Sequence, residues 1–330
     1  TYLLDYDTIL ENARSIKQAG DANGVQNFFM LKQIGRNPLI ARALTDMGYV
    51  GAVCVDFREA LTMVENQIPL GNVGHLVQIP RAALKKILRA KPVIVTVYTL
   101  EKAREISAVC TELGLHQKLM LRVLGEGDML YSGQYGGFEL QELDSAVRAI
   151  EAMPNVEVGG VCSFPCFLYD EAAQDILPMP NLRTVQTAAE MLRARGYRDL
   201  MLNTPSATCT HSIPMIAAAG GTHGEPGHGL TGTTPYHAGH PDAEERPGYL
   251  YVSEVSHNLG DKAYCYGGGH YRRGHMKNAL VGTTPENAKV VPVLPPDDSS
   301  IDYHFELQQN CPVSAAAVMA FRTQFFVTRS

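Results

Sequence analysis

The 330-residue chain lacks two features whose absence excludes whole classes of protein. It has no apolar run that reaches the roughly 18 residues of a membrane-spanning helix, so we expect no membrane partner. It also has no excess of positive charge, since 34 aspartates and glutamates outnumber 28 lysines and arginines and give a net charge of −6. That charge argues against nucleic-acid binding, because the phosphate backbone attracts basic surfaces.

The cysteines lack any spacing typical of a disulfide framework or of a zinc site. They are odd in number and scattered along the chain, at Cys54, Cys110, Cys162, Cys166, Cys209, Cys265 and Cys311. No signal peptide is visible either. The sequence therefore predicts a protein of the reducing cytoplasm.

What the sequence does contain is a regular alternation of short apolar segments with amphipathic helical segments. The apolar segments lie at residues 28–31, 51–55, 73–78, 93–98, 119–124, 156–164 and 200–202, and a glycine-rich eighth segment begins at residue 220. Eight such units predict a parallel sheet closed into a (β/α)8 TIM-type barrel, which we place at residues 1–236. Residues 237–330 open with a polar linker and continue with strand-like segments, which predicts a C-terminal, mainly antiparallel β domain.

A lysine directly follows the first predicted barrel strand, in the stretch NFFMLKQIGRNP. Burying the ammonium group of Lys32 at the end of four apolar residues is costly unless the group faces a cavity. Active sites of barrels collect at the carboxyl ends of their strands, which is where Lys32 would lie. The alternative is a lysine whose charge reaches solvent from a strand end.

Two loops late in the barrel have the composition of a phosphate site. The first, NTPSATC, carries Asn203 and Ser206 between a strand and a helix, where hydroxyl groups and free amides would face an anion. The second is EPGHGLTGTT, from Glu225 onward, whose glycines allow backbone amides to turn inward. Plain turns are the alternative explanation, although barrels often bind phosphate at these last loops.

The combination of barrel, lysine, phosphate loops and appended β domain resembles the fold type III pyridoxal phosphate (PLP) enzymes, such as alanine racemase and the ornithine and diaminopimelate decarboxylases. FFMLKQIGRNPLIARAL resembles the Schiff-base lysine segment of these enzymes, and NTPSATC their Asn-Ser segment. CYGGGHYRR resembles the segment that opens the racemase C-terminal domain. The resemblance covers nearly the whole chain and implies pyridoxal 5'-phosphate as cofactor, an amino acid as substrate and a homodimer.

The resemblance also implies a role for each matching residue. Lys32 would hold the cofactor and act as acid and base, and Glu225 would contact the pyridine nitrogen. Tyr266 would be the second base, entering from the neighbouring subunit, with Arg272 or Arg273 beside the phenol. The cofactor phosphate would be held by Asn203, Ser206, Gly227, His228, Gly229, Thr231, Gly232 and Thr233.

Three positions depart from the alanine racemase pattern. Glu225 stands where racemases carry an arginine and resembles instead the Glu-Pro-Gly of the decarboxylases; a carboxylate there keeps the ring protonated and makes it a strong electron sink. Ser163 replaces a ring-stacking histidine, so Phe164 or another group would cover the cofactor. The loop SGQYGGF lacks the arginine that binds substrate in racemases.

The sequence thus predicts a PLP-dependent isomerase, an amino-acid racemase, with a decarboxylase or β-eliminating lyase as the alternative favoured by Glu225. A non-enzymatic PLP carrier is a third possibility, against which the C-terminal β domain counts. We expect no metal, because neither the pair His237 and His240 nor the group His304, Glu306 and Cys311 has a ligand spacing typical of a metal site. Cys265 and Cys311 are candidates for catalytic thiols, with buried structural cysteines as the alternative.

Overall fold

The structure is a computed structural model that describes residues 1–268, 274, 276–297 and 299–321. The helices of this part of the chain are α1 (Tyr6–Asn23), α2 (Pro38–Asp46), α3 (Phe57–Glu65), α4 (Arg81–Arg89), α5 (Leu100–Leu113), α6 (Leu143–Glu151), α7 (Pro180–Ala194), α8 (Ile213–Ala218) and α9 (Pro235–Gly239). The strands are β1 (Tyr2–Leu4), β2 (Gln26–Asn27), β3 (Ala52–Cys54), β4 (Leu70–Val73), β5 (Ile94–Val97), β6 (Gln117–Leu124), β7 (Phe138–Glu139), β8 (Val156–Cys162), β9 (Phe167–Asp170), β10 (Asp175–Pro178), β11 (Met201–Asn203), β12 (His223–Gly224), β13 (Tyr249–Leu259), β14 (Lys262–Tyr266), β15 (Asn278–Gly282), β16 (Lys289–Leu294), β17 (His304–Leu307) and β18 (Ala316–Met319).

Eight parallel strands form the barrel, in the order β2, β12, β11, β8, β6, β5, β4 and β3. The ring closes at the segment after β2, where Phe29 bridges Ala52 on β3. The Phe29 amide donates to the Gly51 carbonyl at 3.0 Å, and the Met30 amide on the other side donates to the Pro226 carbonyl at 3.0 Å. Because this segment bonds to both of its neighbours, the sheet has no open edge there, as a TIM barrel requires.

Side chains of the barrel strands alternate between the outer helices and the interior. On the first strand, Phe29 and Leu31 pack in the main core against the helices. Phe28 and Met30 lie in a separate interior cluster that also contains Val53, Val55, Ile94, Met120 and Cys162. The interior is therefore filled by side chains, and the next inward position beyond Met30 belongs to Lys32.

The C-terminal part of the described chain is an antiparallel sheet in the order β13, β14, β17, β16, β15 and β18, and β18 pairs back onto β13. The six strands therefore close into a small barrel of their own. Its core contains Val255, Phe305 and Leu307, each fully buried. Strand β1 joins the sheet by pairing with β13, with Tyr2 opposite Tyr251.

The fold predicted from the sequence, a (β/α)8 barrel with an antiparallel β domain, is confirmed. Individual strand boundaries differ: β4 ends at Val73, where the predicted strand 73–78 begins, and β2 ends just before the predicted strand 28–31. The antiparallel hairpin β9–β10 and strands β15 and β17 were not predicted. None of the helices in the described ranges is long and apolar enough to cross a membrane.

Candidate active site at the carboxyl ends of the barrel strands

A polar layer covers the apolar interior of the barrel at the carboxyl ends of the strands. It arises because strands with an apolar inward residue carry a polar one two positions later: Met30 is followed by Lys32, Ile94 by Thr96, Met120 by Arg122 and Met201 by Asn203. All four polar side chains are buried. Inward-facing positions recur every second residue along a strand. The same alternation therefore places the apolar side chains that fill the barrel and the polar side chains at its mouth.

Lys32 begins a short 3-10 turn, Lys32–Ile34, directly after Leu31. It is only 9% exposed, so its side chain does not reach into bulk solvent. Its positive charge lies close enough to Glu59 and His75 to shift both pKa values. Burial raises the pKa of Glu59 to about 7, against the opposing effects of the Val55 amide, which donates to the carboxylate at 3.0 Å, and of Lys32.

Glu225 follows β12 and lies at the centre of a buried hydrogen-bond network. Its Oε1 accepts from Asn203 Nδ2 at 2.6 Å and from Asn72 Nδ2 at 3.2 Å. Asn72 is oriented in turn by the Thr96 hydroxyl, which donates to Asn72 Oδ1 at 2.7 Å. Glu225 Oε2 is buried and has no hydrogen-bond partner among the described residues, and His75 Nε2 lies 3.7 Å from it.

Arg122 is the largest fully buried side chain of the described residues. Its Nη1 donates to the Tyr98 hydroxyl at 2.9 Å, and that hydroxyl donates to the His75 carbonyl at 2.6 Å. The remaining guanidinium nitrogens, Nε and Nη2, find no acceptor in the described chain. A buried cation with free donors faces an anion or a polar ligand in most proteins that tolerate one.

The two loops predicted to hold a phosphate lie against each other. The Glu225 amide donates to the Thr208 hydroxyl at 3.3 Å. A Cβ at Gly229 would lie 2.4 Å from the Thr208 carbonyl oxygen, so only glycine permits this approach. Ser206 has a φ of +107°, which turns its part of the first loop sharply. Gly227 lies beside Gln33, whose Oε1 is 3.5 Å from an ideal Cβ at Gly227.

The structure brings Lys32, Asn203 and Glu225 into the barrel mouth and places Ser206 and Gly227–Gly229 on its rim. Thr231 and Gly232 lie farther along, against the linker: the Thr231 carbonyl accepts from the Gly248 amide at 3.0 Å. A Cβ at Gly232, with φ +58°, would lie 2.2 Å from the Arg246 carbonyl oxygen, so this glycine serves a close backbone contact. The Thr231 hydroxyl is shared with Thr233 at 2.8 Å.

Tyr266 lies on β14 in the C-terminal sheet and is 52% exposed. Its ring is tilted against that of His304 at 5.8 Å, and its carbonyl accepts from the hydroxyls of Tyr251 and Ser253. Within one chain, no hydrogen bond or ring contact among the described residues joins Tyr266 to the barrel mouth. Arg272 and Arg273, expected beside this tyrosine, lie outside the described residues.

Phe164 lies near the mouth, and its role of covering the cofactor in place of the missing histidine stays a prediction. Its ring contacts that of His75 edge-on, with ring centroids 5.6 Å apart. The ring of Tyr131, in the loop after β6, also contacts the Phe164 ring, with centroids 5.6 Å apart. The Ser163 hydroxyl is occupied by a hydrogen bond with a neighbouring side chain: it accepts from Asn181 Nδ2 at 3.0 Å.

Of the residues considered as metal ligands or catalytic thiols, His237 is hydrogen-bonded to neighbouring side chains and the two cysteines are buried. His237 Nε2 is 3.1 Å from Glu245 Oε2, and its Nδ1 is 2.6 Å from the Thr234 hydroxyl. No group of three metal-ligating side chains occurs among the residues that the structure describes. Cys265 and Cys311 are buried and form no disulfide, and burial raises the pKa of the Cys265 thiol to about 11.

Asn72, His75, Tyr98 and Arg122 were not identified from the sequence. Arg122 carried a signal, namely a cation two residues after Met120 in an apolar strand. Asn72, inside β4, and His75, two residues after it, were missed because that strand was predicted to begin at Val73, three residues too late.

Comparison with known proteins shows the family to which this chain belongs. Residues 4–235 match the family model of the alanine racemase N-terminal domain, and residues 250–330 match that of the YhfX-like C-terminal domain. The chain belongs to the alanine racemase-like family of fold type III proteins.

Three proteins illustrate the similarity. The chain is 44% identical over 332 residues to the uncharacterized protein YhfX of Escherichia coli (strain K12), covering 100% of this chain and 85% of that protein. D-threo-3-hydroxyaspartate dehydratase from Delftia sp. HT23 superposes with a TM-score of 0.70 at 15% identity, over 99% of this chain and 90% of that one. Alanine racemase of Clostridium difficile 630 gives a TM-score of 0.66 at 15% identity, over 96% and 84% of the two chains. The two solved structures share the fold and carry out different reactions.

Proposed function

We propose that the protein is a PLP-dependent enzyme that acts at the α-carbon of an amino acid, with racemisation as the leading reaction. The observation that carries the proposal is a concentration of buried polar atoms without partners around Lys32. These atoms are Gln33 Oε1, His75 Nδ1 and Nε2, Arg122 Nε and Nη2, Asn203 Oδ1 and Glu225 Oε2. Proteins rarely leave such atoms unsatisfied, so their convergence at one place indicates a polar ligand.

The donors and acceptors present fit pyridoxal phosphate, the cofactor that members of this family use. Glu225 Oε1 is already saturated by two amide groups, which leaves Oε2 as an acceptor for the protonated pyridine nitrogen. The amides of Gly227 and Gly229 donate to no backbone carbonyl of the described residues, and Ser206 belongs to the loop that packs against Gly229 at Thr208. These groups would hold the phosphate, as the sequence predicted.

Each residue of the mouth has a definite task in this proposal. Pyridoxal phosphate, when bound, withdraws electrons from the bonds to the substrate α-carbon. Lys32 would hold the cofactor through Nζ and then accept or return a proton at the α-carbon. Asn72 and Asn203 would fix the Glu225 carboxylate, so its direction is set before a ligand arrives. Burial of the whole layer strengthens these interactions, because little water is present to screen them.

The choice between racemase and lyase depends on groups on both sides of the substrate. A racemase needs a second acid or base opposite Lys32, and Tyr266 would supply it from the partner in a homodimer, the assembly that family members form. A decarboxylase or β-eliminating lyase needs mainly a strong electron sink, which the carboxylate of Glu225 favours.

The test is incubation of the PLP-loaded protein with a panel of D- and L-amino acids in deuterated water. Exchange at the α-carbon, inversion and release of carbon dioxide or ammonia are scored separately. We expect exchange and inversion for at least one amino acid. Release of carbon dioxide or ammonia without inversion would assign the protein to the lyases, and absence of all three reactions with absence of cofactor uptake would refute the proposal.

Tyr266→Phe is expected to abolish inversion while exchange of one enantiomer continues. The reason is that loss of the phenol removes a proton donor from one face, whereas Lys32 still works on the other. The measurement is the deuterium content and the enantiomeric composition of the same sample. Tyr303→Phe is the control, since Tyr303 is 70% exposed and lies directly before β17, the strand that pairs with β14. Full racemisation by Tyr266→Phe would remove this tyrosine from the mechanism.

Mixing two inactive variants tests whether Tyr266 acts across a dimer interface. In a mixed dimer of Lys32→Ala and Tyr266→Phe subunits, one of the two sites would contain both native residues. Random exchange of subunits should therefore restore about one quarter of the wild-type racemase activity. No recovery, with subunit exchange shown by light scattering and mass labels, would mean that the two residues do not meet across subunits.

A further inference from the structure

His75 is a buried titratable residue to which the proposed function has given no task. It lies two residues after β4, and its ring is fully buried. The backbone is fixed by the Tyr98 hydroxyl, which donates to the His75 carbonyl at 2.6 Å, and the ring is held edge-on by Phe164. A histidine anchored so firmly presents its ring nitrogens in defined directions.

Neither ring nitrogen of His75 has a hydrogen-bond partner among the described residues. Buried histidines of structural importance normally have at least one partner, as His237 does with Glu245. The acceptor oxygen Glu225 Oε2 lies 3.7 Å from His75 Nε2, just beyond hydrogen-bond distance. A hydrogen bond needs about 3.0 Å, so a movement of less than ~1 Å would form one.

The surroundings keep the imidazole neutral. Burial is the main cause of the lowered pKa of His75, and the positive charges of Arg122 and Lys32 act in the same direction. Glu225 is the opposing group, since its negative charge raises the pKa. Tyr98 is the other titratable group in contact, through the backbone. A neutral imidazole carries one N–H donor and one acceptor, so it can donate from Nε2.

We propose that His75 is a positioning residue that donates its Nε2 hydrogen to Glu225 Oε2 and thereby fixes which lone pair of that oxygen faces the cofactor nitrogen. The inference rests on the proposed function. Oε1 already accepts two amide donors, and Oε2 can accept two as well. One would come from His75 and the other from the pyridine ring. With His75 present, the carboxylate has all four of its acceptor sites used.

The test compares three substitutions by the visible absorption of the PLP-loaded protein, titrated against pH. His75→Leu removes the donor, His75→Asn keeps an amide that is too short to reach, and His75→Gln keeps a donor at about the position of Nε2. Without a second donor, Glu225 should hold the proton that it shares with the ring more strongly. The midpoint of the titration, which is the pH at which half of the absorption change has occurred, should therefore rise by about one pH unit in His75→Leu and His75→Asn. That shift is equivalent to 1.36 kcal/mol. His75→Gln should remain within about 0.3 units of the wild type.

A double-mutant cycle decides whether His75 acts through Glu225. In a Glu225→Gln background both the shared proton and the acceptor of the His75 hydrogen bond are gone, so the pH titration of the visible absorption should be the same with and without His75→Asn. An equal shift in both backgrounds, or wild-type midpoints for all three His75 variants, would overturn the inference. A purely structural role would lower the melting temperature of the variants without moving the midpoint, and would also overturn it.

Failure of this inference can be told apart from failure of the proposed function. If the wild-type protein takes up no cofactor at any lysine, the proposed function is wrong and the role of His75 is wrong with it. If the wild type loads normally and only the His75 variants fail to shift, the proposed function stands. Should His75→Leu not fold, the pair His75→Asn and His75→Gln gives the same comparison with polar side chains of similar size.

Discussion

The Lys32→Ala variant is expected to lose the visible absorption of lysine-bound pyridoxal phosphate and all exchange at the substrate α-carbon. Lys32 is the lysine whose side chain lies in the polar layer of the barrel mouth, 9% exposed and close to Glu59 and His75. In the proposed function its loss removes both the attachment point and the acid/base group. We expect a reduction in exchange rate of at least about 1,000-fold, or ~4 kcal/mol in the barrier.

Lys118→Ala is the matched control for Lys32→Ala. Lys118 lies near the amino end of β6, at the opposite face of the barrel, and its side chain is 49% exposed beside Glu157. This substitution should leave absorption and exchange unchanged. Borohydride reduction followed by peptide mapping should place the cofactor on Lys32 in the wild type. A cofactor fixed at another lysine would refute the assignment.

Lys32 could be proposed from the sequence because it follows a short apolar segment, and the eightfold alternation of strands and helices tells at which end of the barrel it lies. Glu225 follows a glycine-rich segment and was proposed only through the resemblance of its Glu-Pro-Gly to that of the decarboxylases. The alternation also defined the barrel itself, even though β2 is only two residues long. Its missing length is supplied by bonds from Phe29 and Met30 to both neighbours, which no local pattern reveals.

His75 and Asn72 could not be predicted for a reason of register. In PLGNVGHLVQIP, apolar residues lie on both sides of the polar ones, so a strand can be drawn early or late. The structure uses the early one, Leu70–Val73, and a one-residue change of register exchanges the inner and outer faces of a strand. The late choice placed His75 inside a strand and away from the mouth.

The glycine-rich loop shows a second limit of the sequence. Gly229 and Gly232 look alike in EPGHGLTGTT, yet each is required by a different long-range contact. Gly229 admits the Thr208 carbonyl on the side of the mouth, whereas Gly232 admits the Arg246 carbonyl of the linker. The glycine content predicts that other groups approach this backbone closely. Only the fold shows which groups these are. The roles of Thr231, Gly232 and Thr233 at the phosphate stay predictions.

The Glu225→Gln variant is expected to bind pyridoxal phosphate and to lose most of its ability to activate the α-carbon. The orientation of the new side chain is dictated by its neighbours. Asn72 and Asn203 both donate to Oε1, so the glutamine must keep its carbonyl oxygen there and place its amide nitrogen where Oε2 was. An acceptor is thereby replaced by a donor at the point that would face the ring nitrogen in the proposed function.

A donor at that point favours an unprotonated pyridine nitrogen, which makes the ring a weaker electron sink. We expect exchange at the α-carbon to slow by at least about 100-fold, or ~2.7 kcal/mol, while cofactor affinity changes little because Lys32 and the phosphate loops are intact. Glu126→Gln is the control, since Glu126 is exposed in the loop after β6 at the same end of the barrel. The rates come from deuterium uptake and the affinity from the absorption of the loaded protein. Wild-type exchange by Glu225→Gln would show that Glu225 does not face the cofactor nitrogen, and loss of cofactor binding would show that it holds another part of the ligand.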